Sequence, residues 1–324
     1  MDVRLIDVND RANTIVDMTT TLGATEIPAP ILTASGCAGT GAELSPFMDL
    51  SKLGGVVTKS VMLRPRSGRP TPRMAETPSG MLNSIGLQGP GVDAFIETDF
   101  PALMETGARA VVSIAGGTVD EFVRMTTKLR PIASQITALE VNISCPNVAN
   151  RGQVFACNPE ISAEVVRSVK RSMAGGVPVF AKLTPDVTDI TSVAIACAEA
   201  GADGLSMINT LLGMSIDLKT MRPHLGGVMG GLSGPAIRPV AVRAIWQVRK
   251  ALPKISILGM GGVRTGEDAF ELVLAGANAI SVGTAIFNDP SAPLRIQNEL
   301  AQVLQERGFA TFRDAVSYAH REVS

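Results

Sequence analysis

At 324 residues, 45% hydrophobic and 18% charged, the chain has the length of one large α/β barrel or two ordinary domains, and enough apolar sequence for a large core. With 29 Lys+Arg against 30 Asp+Glu and only 4% aromatic residues, it lacks both the basic surplus and the stacking platforms of a nucleic-acid binder. Four scattered cysteines (Cys37, Cys145, Cys157, Cys197) without a C-x-x-C pair, and two histidines (His224, His320), argue against a disulfide scaffold and against an iron–sulfur or zinc site, so no metal is expected. The N-terminal stretch MDVRLIDVNDRANTIVDM is polar and charged, and no run of eighteen apolar residues follows it. The expectation is a cytoplasmic protein with no signal peptide, no membrane anchor and no affinity for membrane.

Short β-branched or apolar runs, each closing on a glycine-rich or polar turn, recur along the chain. In order they are PILTAS (30–35), GGVVTKS (54–60), ARAVVSIA (108–115), ALEVNIS (138–144), PVFAKLT (178–184), GLSMINT (204–210), ISILGMG (255–261) and AISVGTA (279–285). Helical patterns lie between most of them, clearest over 159–173, 189–200, 235–252 and 266–275. Glycine follows the second and last of these helices, at Gly201 and Gly276, as a helix end expects. Eight strand–helix alternations predict α/β architecture with a parallel sheet closed into a (β/α)₈ TIM barrel. A doubly wound sheet would carry a G-x-G-x-x-G turn; the glycines at 36, 39 and 41 have the wrong spacing, and Arg264 occupies the third position in GMGGVRTG. One barrel domain is expected over 1–324, with an N-terminal extension over 1–22 and a C-terminal helical tail over 305–324.

Active sites of such barrels lie at the C-terminal ends of the strands, so the residues closing each run should converge. Lys59 and Lys182 end otherwise apolar runs, where a charge costs several kcal/mol unless it finds a partner. That partner is either a ligand anion or the carboxylate of a neighbouring strand. Glu140 is the only acid in these runs and reads as lying early in its strand, which favours ligand-facing lysines. The glycines of GMGG and VGT, with the turn GGLSGPA (230–236), stand where barrels frequently bind phosphate through backbone N–H groups. From the residues alone, the chain is a barrel holding a phosphorylated ligand, with amide side chains and one cysteine beside it.

In this order and on these strands, TASG, VTKS, TPSGMLNSIGLQGPG, EVNISCPN, AKLTPD, INTLLGMSIDLKT, GGLSGPAIRPVA, GMGGV and VGTA resemble the dihydroorotate dehydrogenases, the flavin enzymes of pyrimidine synthesis, from about Gly23 to Phe287. The cysteine in NISCPN is similar to class 1, and NTLLGMSIDLKT and GGLSGPAIRPVA are most similar to its B subtype, which works with an FAD and iron–sulfur subunit. The resemblance implies FMN, held by Ala34, Ser35, Lys59, Ser60, Asn142, Lys182, Ile208, Ser233, Gly234, Gly261, Gly262, Gly283 and Thr284. It implies that dihydroorotate, or its product orotate, is held by Lys59, Asn83, Ile85, Gly86, Leu87, Asn142, Asn147, Asn209 and Thr210. Asparagine suits a cyclic diamide, since each side chain carries both a donor and an acceptor.

Cys145 would then be the base that removes the C5 proton while hydride leaves C6 for the flavin, and activity would rise with pH across the thiol's titration. The loop 146–160 would act as a lid over the substrate. Cys37, Cys157 and Cys197 read as packing residues, Cys37 the least firmly because it follows TASG. The resemblance also suggests a homodimer, or a heterotetramer with the electron-transfer subunit that delivers electrons to NAD. Gly89 departs from the family pattern, which has asparagine there. Two other readings stay open: a flavin enzyme acting on another dihydropyrimidine, and a non-redox phosphate-binding barrel.

Overall fold

The computed structural model describes residues 15–144, 157–173 and 176–321. Its centre is an eight-stranded parallel sheet formed, in chain order, by β3 (Ile31–Thr33), β4 (Val56–Val57), β7 (Ala110–Ile114), β8 (Ile136–Asn142), β9 (Val179–Lys182), β10 (Gly204–Met207), β15 (Ser256–Met260) and β16 (Ala279–Val282). Each strand pairs with the next, and β16 pairs with β3. The first and second strands close the ring: Gly54 N donates to Ile31 O at 2.8 Å and Thr33 N to Gly55 O at 3.3 Å. The expected (β/α)₈ barrel is therefore the observed fold.

Buried on both faces, these strands read as nearly continuous apolar runs. Outward residues such as Ile31, Val56, Val112, Leu139, Val141, Ala181 and Ile257 pack under the helices. Inward residues Leu32, Val57, Val111, Ala138, Phe180, Leu258 and Ala279 meet inside the ring. Two residues further along their strands, the same inward phase places Ser113, Glu140, Lys182 and Ser281, all buried. The interior thus changes from an apolar layer to a polar one as it nears the C-terminal ends.

The four helices expected from sequence span Pro159–Ser172, Ile190–Glu199, Arg238–Ala251 and Gly266–Ala275. Side chains of Asn158, Asp189 and Thr265 cap three of them by accepting from backbone N–H groups of the first turn, so these boundaries are set by polar residues just before apolar stripes.

The opposite end is closed by a hairpin of β1 (Thr20–Leu22) and β2 (Thr25–Ile27), whose Leu22 and Ile27 fill the bottom of the ring. The boundary expected after residue 22 falls inside this hairpin. Among the described residues of the tail, helical structure beyond Glu306 comprises Phe312–Ala315 and a 3₁₀ turn at Tyr318–His320. The tail is tied to the base by Arg313, which donates to Thr19 O at 3.2 Å and to Glu26 at 2.8 Å.

Two long connections leave the barrel mouth and meet above it. The first carries β5 (Met74–Thr77) and β6 (Gly80–Asn83); the second carries β11 (Leu211–Gly213), β12 (Ile216–Asp217), β13 (Arg222–Pro223) and β14 (Gly230–Ser233). Strands β11, β14, β6 and β5 form one antiparallel sheet, with Gly231 opposite Asn83. Sequence reading placed no strands here. Among the described residues no helix is long and apolar enough to cross a membrane.

Candidate active site

The strand ends and the antiparallel sheet enclose a cavity of ≈1540 Å³. Pockets for one drug-sized ligand occupy about 300–1,000 Å³, so there is room for two ligands side by side. From the barrel it is lined by Ala34 and Ser35 after β3, Lys59 and Ser60 after β4, Asn142 on β8 and Lys182 on β9. Ile208, Asn209 and Thr210 follow β10, Gly261 and Gly262 follow β15, and Gly283 and Thr284 follow β16. Asn83, Ile85, Gly86, Leu87, Ser233 and Gly234 line it from the sheet and its loops. Every described residue that the sequence nominated is thus in one cavity. Cys145, Asn147 and positions 146–156 of the expected lid lie outside the described residues.

The side chains on the floor are joined by hydrogen bonds. Asn142 donates to Ser60 Oγ at 3.1 Å, and Ser60 Oγ lies 2.9 Å from Ser113 Oγ and 3.2 Å from Ser35 Oγ. Ser113 in turn donates to Glu140 Oε1 at 3.0 Å. On the other side, Asn142 Oδ1 accepts from Ser144 Oγ at 2.9 Å, and Asn209 Nδ2 donates to Ser144 Oγ at 2.7 Å. Asn142 and Asn209 are therefore held by one serine, which fixes their amide orientations relative to each other. Asn83 is held from above, donating to Gly231 O at 3.3 Å.

Lys182 corrects the expectation drawn from sequence. Its Nζ lies 3.4 Å from Glu140 Oε1 on the adjacent strand, with the carboxylate fully buried and the lysine side chain 5% exposed. The strand begins at Ile136, so Glu140 is the fifth of its seven residues, one inward step deeper than Lys182 and within reach of its ammonium. The neighbouring carboxylate that the sequence reading set aside is the one observed. Lys182 still lines the cavity, so its ammonium sits between an internal anion and the ligand space.

Two glycines explain how closely the backbone approaches. A Cβ on Gly80 would stand 2.0 Å from Ser233 O, and one on Gly262, at φ +78°, would stand 2.6 Å from Arg238 Cβ. Only glycine lets the hairpin tip lie on Ser233 and the β15 turn fold back on the start of the preceding helix. Such side-chain-free turns suit a phosphate group, which needs close backbone N–H donors. Around Gly89 the space is open, with nothing within 4 Å of a Cβ position.

Cys37 also lines the cavity. Burial pushes its thiol up to about 11, against the pull of the Lys182 and Lys59 charges, so it stays protonated at neutral pH. Burial likewise pushes Cys197 up to about 12. Neither is a base under ordinary conditions. Sequence reading missed Ser113 as part of the floor and Ser144 as the link between two asparagines. Ser113 shares the inward phase of Val111, a period-two signal that could have found it. Among the described residues no group of three or more His, Cys, Asp or Glu could hold a metal.

A family model described as dihydroorotate dehydrogenase matches residues 17–304. A protein of Desulforudis audaxviator named dihydroorotate dehydrogenase B (NAD(+)), catalytic subunit, is 50% identical over 292 residues, covering 90% of this chain and 94% of its own length. Relatives of the same name from Geobacter sp. (strain M21) and Desulforamulus reducens are 48% and 49% identical, covering 90% and 92% of this chain and 94% and 97% of their own lengths.

Proposed function

This chain belongs to the dihydroorotate dehydrogenase family, and on that premise we propose that it is the catalytic subunit of a B-type enzyme, oxidising dihydroorotate to orotate for pyrimidine synthesis. It is an oxidoreductase, and its family implies a flavin; we take that flavin to be FMN. The reading is carried by one observation: the described residues nominated for cofactor and for substrate line the same cavity, which is large enough for both. Gly261, Gly262, Gly283, Gly234, Ser233 and Thr284 would hold the phosphate-bearing cofactor at one side of the mouth. Asn83, Asn142, Asn209 and Thr210 would read the ring of the substrate, and Lys59 its carboxylate.

The reaction breaks C–H bonds at C5 and C6 and forms a double bond between those carbons. Bound flavin supplies the acceptor for the hydride that leaves C6. Cys145, three positions beyond Asn142, takes the C5 proton as thiolate, and the asparagine–serine network holds the ring amides so that both hydrogens are lost from a fixed pose. An FAD and iron–sulfur partner would supply the route from the flavin to NAD, in the cytoplasm, within a heterotetramer built on a homodimer of this chain.

The test is the visible spectrum of the purified protein before and after anaerobic addition of dihydroorotate. A yellow protein that bleaches supports the assignment. A yellow protein that stays oxidised overturns the substrate and points to another dihydropyrimidine, while one that takes up no FMN returns the chain to a non-redox barrel.

A further inference from the structure

Glu140 and Lys182 form an ion pair in the barrel interior, with the lysine at the cavity floor and the carboxylate one layer beneath it. The carboxylate is fully buried; one oxygen serves Ser113 at 3.0 Å and Lys182 at 3.4 Å, and the other has no hydrogen-bond partner among the described residues. Burying such a pair costs desolvation, which is recovered only in part when an oxygen is left unpaired. An apolar pair of similar volume would pack this layer at lower cost. Retention of the pair therefore points to a role other than stability.

The geometry shows which role. Lys182 lines the cavity and Glu140 does not, so the carboxylate stands behind the ammonium as seen from the ligand. Strand register fixes this: Asn142 lies opposite Lys182, and Glu140 lies opposite Phe180, one inward step deeper. Ser113, opposite Glu140 on the other flanking strand, holds the carboxylate from that side. A negative charge locked there both anchors Lys182 at the cavity floor and offsets part of its positive field. In a water-poor interior, such fields act strongly on any group whose charge changes in the cavity.

Resting on the reading of the cavity as a flavin site, we infer that Glu140 is a positioning residue that sets the potential at which the bound flavin accepts electrons. Adding electrons to a flavin raises its negative charge. A carboxylate behind Lys182 opposes that gain and holds the potential low, while still keeping the ammonium in place. Removing the charge and keeping the shape should make the flavin easier to reduce.

The experiment is the flavin midpoint potential of the holoenzyme, measured for wild type, Glu140→Gln and Glu140→Asp. Glu140→Gln is expected to raise it by about 30 mV, the equivalent of a tenfold stronger preference for the reduced flavin in a two-electron couple. Glu140→Asp keeps the charge and should stay near wild type. A Glu140→Gln value equal to wild type overturns the inference, as does an equal shift in both variants, which would be a packing effect. If Glu140→Gln does not fold, Glu140→Met removes the same charge without leaving a buried polar group to satisfy, and Lys182 still faces the cavity; it should raise the potential likewise, and a value equal to wild type overturns the inference. A wild-type protein that binds no flavin overturns the functional reading itself, a result distinct from any of these.

Discussion

Cys37 and Cys145 illustrate how little residue type says without surroundings. Both follow strand ends, but Cys37 is held protonated by burial, with its thiol pushed up to about 11. A raised value means the neutral form persists as pH climbs, so Cys37 stays almost wholly protonated between pH 6 and pH 9. Cys37→Ser should therefore leave the pH profile of turnover unchanged over that range. Cys145→Ser should lower turnover by about 10²–10⁴-fold, the usual worth of a positioned general base, and remove the rise in wild-type activity with pH as a thiol near 8.5 ionises. Steady-state rates of both variants against pH would check this; equal losses in the two would reject the assignment of the base. The nomination of Cys145 comes from the sequence alone, because the motif around it is specific. The Glu140–Lys182 pair was not legible there, because its reading depended on where the strand begins, and a start two residues earlier leaves the carboxylate one inward step below the lysine, within reach of its ammonium.

The barrel strands and four of the helices between them could be read to within three residues at either end. Their apolar runs are long, and their ends carry glycine or capping side chains. The sheet above the mouth was invisible for the opposite reason. Its strands have three or four residues, each containing glycine or a polar side chain, and β6 finds its partner β14 almost 150 residues further along the chain. Local patterns do not encode such pairing. Gly80 at the hairpin tip offers a direct probe, since a Cβ there meets Ser233 O at 2.0 Å. Gly80→Ala is expected to cost about 1–3 kcal/mol of overpacking, spent on seating the hairpin rather than on the ring below. Orotate affinity should fall by about 5–150-fold while the unfolding temperature moves little. Gly89→Ala, in open space, should change neither. Flavin absorbance titrated with orotate, alongside thermal unfolding, separates these outcomes.

Taken whole, the molecule has a closed base and an open mouth. The β1–β2 hairpin and the anchored tail seal the bottom of the ring, leaving the strand C-termini as the face with a large cavity. Electrons generated there must leave through that face. The chain alone should accept electrons from dihydroorotate but fail to reduce NAD at a comparable rate; adding a separate electron-transfer subunit should restore NADH formation. Anaerobic stopped-flow with and without the partner would show it, and rapid NADH production by this chain alone would reject the two-subunit route.

The pairing of β6 with β14 also limits how this enzyme can be altered or can have diverged. Two excursions, one leaving after β4 and the other after β10, share one hydrogen-bonded register, with Asn83 opposite Gly231. A single-residue insertion in either would turn Asn83 to the other face of the sheet, away from the mouth. Grafting one excursion from a relative without the other would therefore fail even where the barrel beneath is identical, and lengths in the two segments should change only in concert.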